Sequence, residues 1–251
     1  YSAAELAAMM FDTWNNRLAK LKDNVVVLPA HGAGSLCGAH LSDSPSSTIG
    51  AEKKNNYYLK HVGNRSAFIS QFIAGLEPAP QYFAENARIN RVGPELVNWA
   101  EPLGAKVENI AELLQNPEVY VVDVRDDKAY AAAHIPRSVN IALRGRLETW
   151  TGIVIPFKSR VILTGNLVEL REAARRLKRV GYNAEYVVFD EYAAAGGVTV
   201  TTRMMLPAEL REKMLNGTAP LVVDVRRPNE WLGMKIGEVL NIPLDVRSEE
   251  R

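Results

Sequence analysis

Val121-Val122-Asp123-Val124-Arg125 returns 101 positions later as Val222-Val223-Asp224-Val225-Arg226, and this repeat decides how the chain is read. A second match keeps the same spacing: His134-Ile135-Pro136 through Asn140-Ile141-Ala142-Leu143 aligns with Lys235-Ile236-Gly237 through Asn241-Ile242-Pro243-Leu244. So long a period belongs to a domain rather than to a solenoid unit, so two copies of one unit are expected in tandem, the second cut off at Arg251. Each copy opens on a β-branched apolar run that ends in charge, as a strand buried on both faces does where it emerges at a rim.

Around the first copy, strands and helices alternate. Residues 107–114 read as a short helix, 119–124 and 160–163 as buried strands, 168–180 as a helix and 185–189 as a strand. That order predicts an α/β fold with an open parallel sheet and helices on both faces. In front of it, Leu6, Met9, Met10, Trp14, Leu18 and Leu21 recur at helical spacing over residues 3–21. A strand is expected at 25–28, ended by Pro29, which delivers His31 to a long loop over 32–50. Helices are expected at 51–76 and 94–100, and the Pro102 and Gly104 pair places a domain boundary near residue 103.

The 251 residues are 47% hydrophobic and 24% charged, ordinary for a globular protein and far from the signature of disorder. Thirty basic residues against 29 acidic ones leave a formal charge of +1, which offers no broad attraction for nucleic acid or anionic lipid. Small molecules are therefore the expected partners, and an assembly of identical copies is compatible with the composition. Cys37 is the single cysteine, so no internal disulfide forms; with no secretory signal or long apolar run, the reading is a cytoplasmic protein.

The string VVDVRDDKAYAAAHIPRSVNIAL, residues 121–143, resembles the rhodanese family pattern of a strand ending in Asp-Val-Arg followed by His-Ile-Pro-Gly and Asn-Ile-Pro. The resemblance implies a rhodanese-like domain over 104–200 and the first part of another over 201–251. It also implies a cysteine at the end of a strand, opening a loop whose amides and following helix cradle an anionic sulfur; such groups lower a thiol pKa and stabilise a persulfide. Thr164 occupies that position in Val161-Ile162-Leu163-Thr164-Gly165-Asn166-Leu167. A threonine hydroxyl forms no persulfide, and Glu169 brings negative charge to a place meant for anions, so the domain is expected to be silent. Anion binding by the loop backbone alone remains open. Asp123 and Arg125 are expected to brace each other rather than to act on substrate.

LPAHGAGSLCGAHLSDSPSSTIGAEKKNN, residues 28–56, resembles the later part of a metallo-β-lactamase-fold domain of the glyoxalase II and persulfide dioxygenase branch. The resemblance implies that residues 1–103 are the C-terminal part of an αββα sandwich and that the parent protein is a persulfide dioxygenase fused to rhodanese domains. His31 is carried over as a second-site metal ligand or an outer-shell group. Cys37 reads equally as a sulfur carrier and as a small buried apolar residue. Lys53 and Asn55 are the candidate substrate-binding residues; Ser47, Thr48 and Asn56 read better as helix-start chemistry.

The expected reaction is oxidation of a glutathione or coenzyme A persulfide to sulfite by Fe(II) and dioxygen, coupled to rhodanese sulfur transfer. A glyoxalase II-type thioester hydrolase using zinc is the alternative, and a non-catalytic rhodanese docking module is a third reading. The His-x-His-x-Asp-His cluster of the fold does not occur in these residues, so the remaining ligands are expected ahead of Tyr1 and this piece alone is expected to be inactive.

Overall fold

The computed structural model describes residues 1–31, 44–74, 82–94, 96–237 and 239–244. The chain forms two compact units, Tyr1–Pro78 and Ala79–Arg251. Among the described residues, no helix is long and apolar enough to cross a membrane.

The first unit opens with helix α1, Ala3–Asn16, started by a reciprocal cap. Ser2 Oγ accepts the Glu5 N–H at 3.2 Å and the Glu5 carboxylate accepts the Ser2 N–H at 2.6 Å. The helix is shorter than its periodicity suggests, because a 3₁₀ turn takes over at Leu18–Lys20. It buries Ala7 and Trp14, and Phe11 meets Phe68 edge to face. Strand β1, Val26–Val27, pairs antiparallel with β2, Ser47–Thr48. Thus β2 and the start of α2, Ile49–Asn55, fall inside the stretch expected to be an irregular loop. The expected helix at 51–76 is broken: Asn56 starts a 3₁₀ turn at Tyr57–His61, and α3 occupies Arg65–Ala74.

The second unit begins with α4, Tyr82–Val92. This corrects the helix expected at 94–100, where the described residues have no helix. Gly93 adopts φ +91° and its N–H donates to the Ile89 carbonyl at 2.8 Å, a left-handed cap that ends α4 just before Pro94. After it come α5 (Ile110–Leu113), β3 (Val119–Asp123), α6 (Asp127–Ala132), β4 (Val139–Asn140) and α7 (Leu147–Val154). Strand β5 (Arg160–Gly165), helix α8 (Leu167–Lys178), β6 (Ala184–Val188) and α9 (Phe189–Ala194) complete the first copy of the repeat. The second copy supplies α10 (Pro207–Leu215), β7 (Val223–Asp224), α11 (Pro228–Gly233) and β8 (Leu240–Asn241).

The sheet order is β4-β3-β5-β6 and every pairing is parallel. Its two faces bury different sets. Val122, Val124 and Leu163 pack with Leu170 and Leu177 of α8 on one face. Val121 and Ile162 pack with Val107, Ile110 and Ile135 on the other. Burying each such leucine contributes about 1.5–3 kcal/mol, so α8 is held mainly by its apolar stripe. Arg176 adds a polar clamp on the same helix, bonding the Glu148 carboxylate at 2.5 and 2.8 Å and the carbonyls of Leu143 and Gly145 at 2.5 and 2.8 Å.

Helix α4 belongs to this unit because two glycines make room for it. A Cβ on Gly152 would lie 2.6 Å from the Tyr82 ring, and one on Gly181 would lie 2.9 Å from Ile89 Cδ1.

Candidate functional site

In an open parallel sheet, ligands sit outside the carboxyl ends of the strands. Here that rim is built by Asp123 to Arg125 after β3 and by Gly165 to Glu169 between β5 and α8. Asp123 is wholly buried, and Arg125 closes on it with Nε at 3.0 Å from one carboxylate oxygen and a terminal nitrogen 2.6 Å from the other. The same guanidinium donates to the Ala133 carbonyl at 2.7 Å and lies 3.4 Å from the Phe189 ring centroid. Every strong donor of Arg125 that the structure shows in use is turned inward, so the pair braces the strand end.

Thr164 lies within β5 and does not open a loop. It is in register between Asp123 and Val187, is fully buried, and its hydroxyl has no hydrogen-bond partner among the described residues. Its side chain shares the sheet face of Ile162, the face opposite α8. The strand continues to Gly165, Asn166 is the N-cap, and α8 begins at Leu167, so a single residue separates strand from helix.

The start of α8 is closed by its own side chains. Asn166 Oδ1 accepts the N–H groups of Val168 and Glu169, each at 3.0 Å, and the Glu169 carboxylate accepts the Asn166 N–H at 3.3 Å. Of the donors that a helix start offers to an anion, Leu167 N–H alone is without a partner among the described residues. Glu169 Oε2 also hangs over the strand end, 3.2 Å from where a Cβ on Gly165 would stand. An internal carboxylate therefore holds the position that a bound anion would take, with the favourable end of the helix dipole already used. The Asn166-x-x-Glu169 spacing is a capping-box signature, a local signal that the sequence reading of Glu169 as a stray negative charge passed over.

Among the described residues singled out in the front unit, no hydrogen bond or ion pair joins His31, Lys53 and Asn55. His31 is exposed at the end of the segment after β1, and no hydrogen bond to it is found among the described residues. Lys53 pairs with Asp23 at 2.7 Å, and that contact holds the Asp23 carboxyl below the usual carboxylate range. Asn55 is an exposed residue at the end of α2. Thr48 is the N-cap of α2, its hydroxyl accepting the Ala51 N–H at 3.1 Å. Cys37 lies outside the described residues. Among the described residues, no group of three or more His, Cys, Asp or Glu side chains is placed to hold a metal ion.

A cavity of about 300 Å³ opens at the opposite end of β5, lined by Pro102, Gly104, Arg160, Lys178, Asn183 and Glu185, and so is remote from Thr164.

The sequence pattern of the rhodanese-like domain family matches residues 106–199. Residues 106–199 form a rhodanese-like domain. A metallo-beta-lactamase from Staphylococcus aureus is 28% identical with a TM-score of 0.57, over 72% of this chain, which is more than the rhodanese-like domain alone could supply. The chain spans half the length of that protein. A rhodanese-like domain of an Anabaena protein aligns at 17% identity over 36% of this chain and 98% of its own, with a TM-score of 0.33. A Bacillus halodurans protein aligns at 19% identity over 53% of this chain and 96% of its own, with a TM-score of 0.34. No curated protein matches the chain. Within the rhodanese-like domain Thr164 is buried in β5, and the start of α8 is capped from within.

Proposed function

We propose that the protein serves sulfane-sulfur metabolism by oxidising a low-molecular-weight thiol persulfide, glutathione or coenzyme A persulfide, and that its rhodanese-like domain carries no sulfur itself but spaces and orients its neighbours. The single observation that carries this division of labour is the closed start of α8 beside a thiol-free strand end. Residues 28–56, together with the likeness to the staphylococcal metallo-beta-lactamase, support metal-dependent chemistry in the same protein. The described residues do not fit a resident metal, since His31 is exposed and no ligand group converges on it. Iron, or zinc for a hydrolase, is therefore assigned to ligands outside these residues.

Oxygen uptake and thioester cleavage by the full-length protein, loaded with Fe(II) or with Zn(II) and given in turn glutathione persulfide and a glutathione thioester, test the reading. Iron-dependent uptake with sulfite as product is expected. Zinc-dependent thioester cleavage with no oxygen uptake would overturn it. The spacer role is tested separately, by cyanide-dependent sulfur transfer from thiosulfate with the 251-residue chain carrying Cys37→Ser. No turnover above the buffer rate is expected, and turnover above it would show that the rhodanese-like domain handles sulfur after all.

A further inference from the structure

The connection between the two copies of the repeat is pinned to the first copy. After α9, Gly196 turns at φ +82°, Gly197 leaves no room for a Cβ against the Tyr192 ring, and the Tyr192 hydroxyl donates to the Val198 carbonyl at 2.8 Å. Val200 then pairs antiparallel with His134, each N–H donating to the other's carbonyl at 2.9 Å. The Thr202 N–H donates to the Ala131 carbonyl at 2.9 Å. Residues 203–206 alone separate Thr202 from α10, and Arg203 among them pairs with Glu209 of α10 at 2.7 Å.

The Ala133 carbonyl and the His134 N–H belong to one planar peptide group. That carbonyl accepts from Arg125 at 2.7 Å, and that N–H donates to Val200 at 2.9 Å. One rigid plane thus joins the buried Asp123 and its Arg125 partner to the connection between the copies. The guanidinium charge polarises the group, so its N–H donates more strongly. The His134 ring is itself fixed, stacked on Tyr130 with centroids 3.9 Å apart and with Nδ1 2.8 Å from the Tyr130 carbonyl.

We propose that residues 198–202 are a strap by which the first copy holds the start of the second, and that Arg125 is its positioning residue, acting through the Ala133–His134 peptide. The strand-end pair then has a task beyond bracing β3. The short tether over 203–206 spans no more than about 18 Å, so α10 stays near the strap while Val200 is bound. The strap gives the orienting role proposed above a physical means and rests on that role. Sulfur turnover tests the role, whereas freedom of the strap tests its seat, so either can fail alone.

Amide hydrogen exchange of residues 198–202 and trypsin cleavage after Arg203, both in the full-length protein, test the strap. Arg125→Lys keeps a cation beside Asp123, but a single nitrogen does not span both carboxylate oxygens and the Ala133 carbonyl. Exchange at Val200 and Thr202 and cleavage after Arg203 should each rise about tenfold, the loss of roughly one charge-assisted hydrogen bond, with β5 residues 161–164 unchanged. Should Arg125→Lys also speed β5, Val200→Pro decides, since it removes the strap's donor and leaves Arg125 in place. Coupling is reciprocal, so Val200→Pro should speed exchange of the Arg125 side-chain N–H signals in nuclear magnetic resonance by the same factor. Wild-type strap amides that exchange as fast as an unstructured peptide overturn the proposal. So does a strap as slow in R125K as in the wild type, or an Arg125 side chain that exchanges no faster in V200P.

Discussion

Asn140 and Asn241, 101 residues apart in the sequence, hold corresponding pairs of carbonyls. The Asn140 amide donates to Asp123 and Arg125 at 3.0 and 2.9 Å, and the Asn241 amide donates to Asp224 and Arg226 at 3.0 and 2.9 Å. Each asparagine thereby fixes the path of the chain where the Asp-x-Arg strand leaves the sheet. Replacing Asn140 by alanine removes both bonds in a part-buried setting and should destabilise the rhodanese-like domain by about 1–2 kcal/mol. Asn241→Ala should cost less, because its bond to the Arg226 carbonyl is exposed whereas both bonds of Asn140 are part-buried. Urea unfolding of the two variants checks the order, and an equal loss would contradict the difference in burial.

Thr164 contributes a hydroxyl with nothing to bond. Thr164→Val keeps the shape and removes a buried polar group, so it should leave stability unchanged or raise it by up to about 1 kcal/mol. Thr164→Cys should not create a sulfurtransferase. The new thiol would be buried within β5 on the face away from α8, and should react with a thiol reagent only when the domain opens. Labelling of T164C and Cys37 in the folded and the urea-unfolded protein, resolved by peptide mass, reads this directly. Fast native labelling at 164 would show that the strand end is open.

Glu148 links acid stability to the clamp on α8. The Arg176 guanidinium beside it holds its carboxyl below the ordinary value of 4.5, and both side chains are mostly buried, at 25% and 17% exposed. A depressed carboxyl contributes stability that is fully present above its unfolded value and is lost as pH falls through the lower folded value. Melting temperatures of the wild type and Glu148→Gln should differ at pH 6 and converge as the pH falls below the unfolded value of 4.5 and on through the lower folded one. A gap that stays constant with pH would rule out this ionic contribution.

Gly152 is the seat of Tyr82. Gly152→Ala places a methyl group against the ring, which must swing aside or lift the start of α4, and a loss of about 1–3 kcal/mol is expected from overpacking. The double variant Gly152→Ala with Tyr82→Ala should lose less than the two single changes added together, since the collision exists only when both are present. Additive losses in a denaturation cycle would show that the two residues do not meet.

Much of the sheet is legible from local pattern, because β-branched runs such as Val119–Val124 and the Val161–Leu163 core of β5 are buried on both faces and carry few polar residues to confuse the reading. Helix α4 was less legible. Its apolar positions Tyr82 and Ile89 acquire meaning only from Gly152 and Gly181, which are distant in sequence, whereas Leu96 and Trp99 are exposed. The front unit was read from a motif around His31 and Cys37, and a motif states which residue types are present without stating which side chains converge.

The amino-acid order alone determined that one unit occurs twice and that the first copy has no sulfur nucleophile, because residue identity settles which atoms exist at a position. Only the tertiary structure decided that Thr164 is interior to a strand, that Asn166 and Glu169 cap the start of α8 from within, and that Tyr82 of α4 seats on Gly152. Those outcomes depend on register, burial and hydrogen-bond competition between parts of the chain brought together by folding, and no local pattern encodes which group reaches a given donor first.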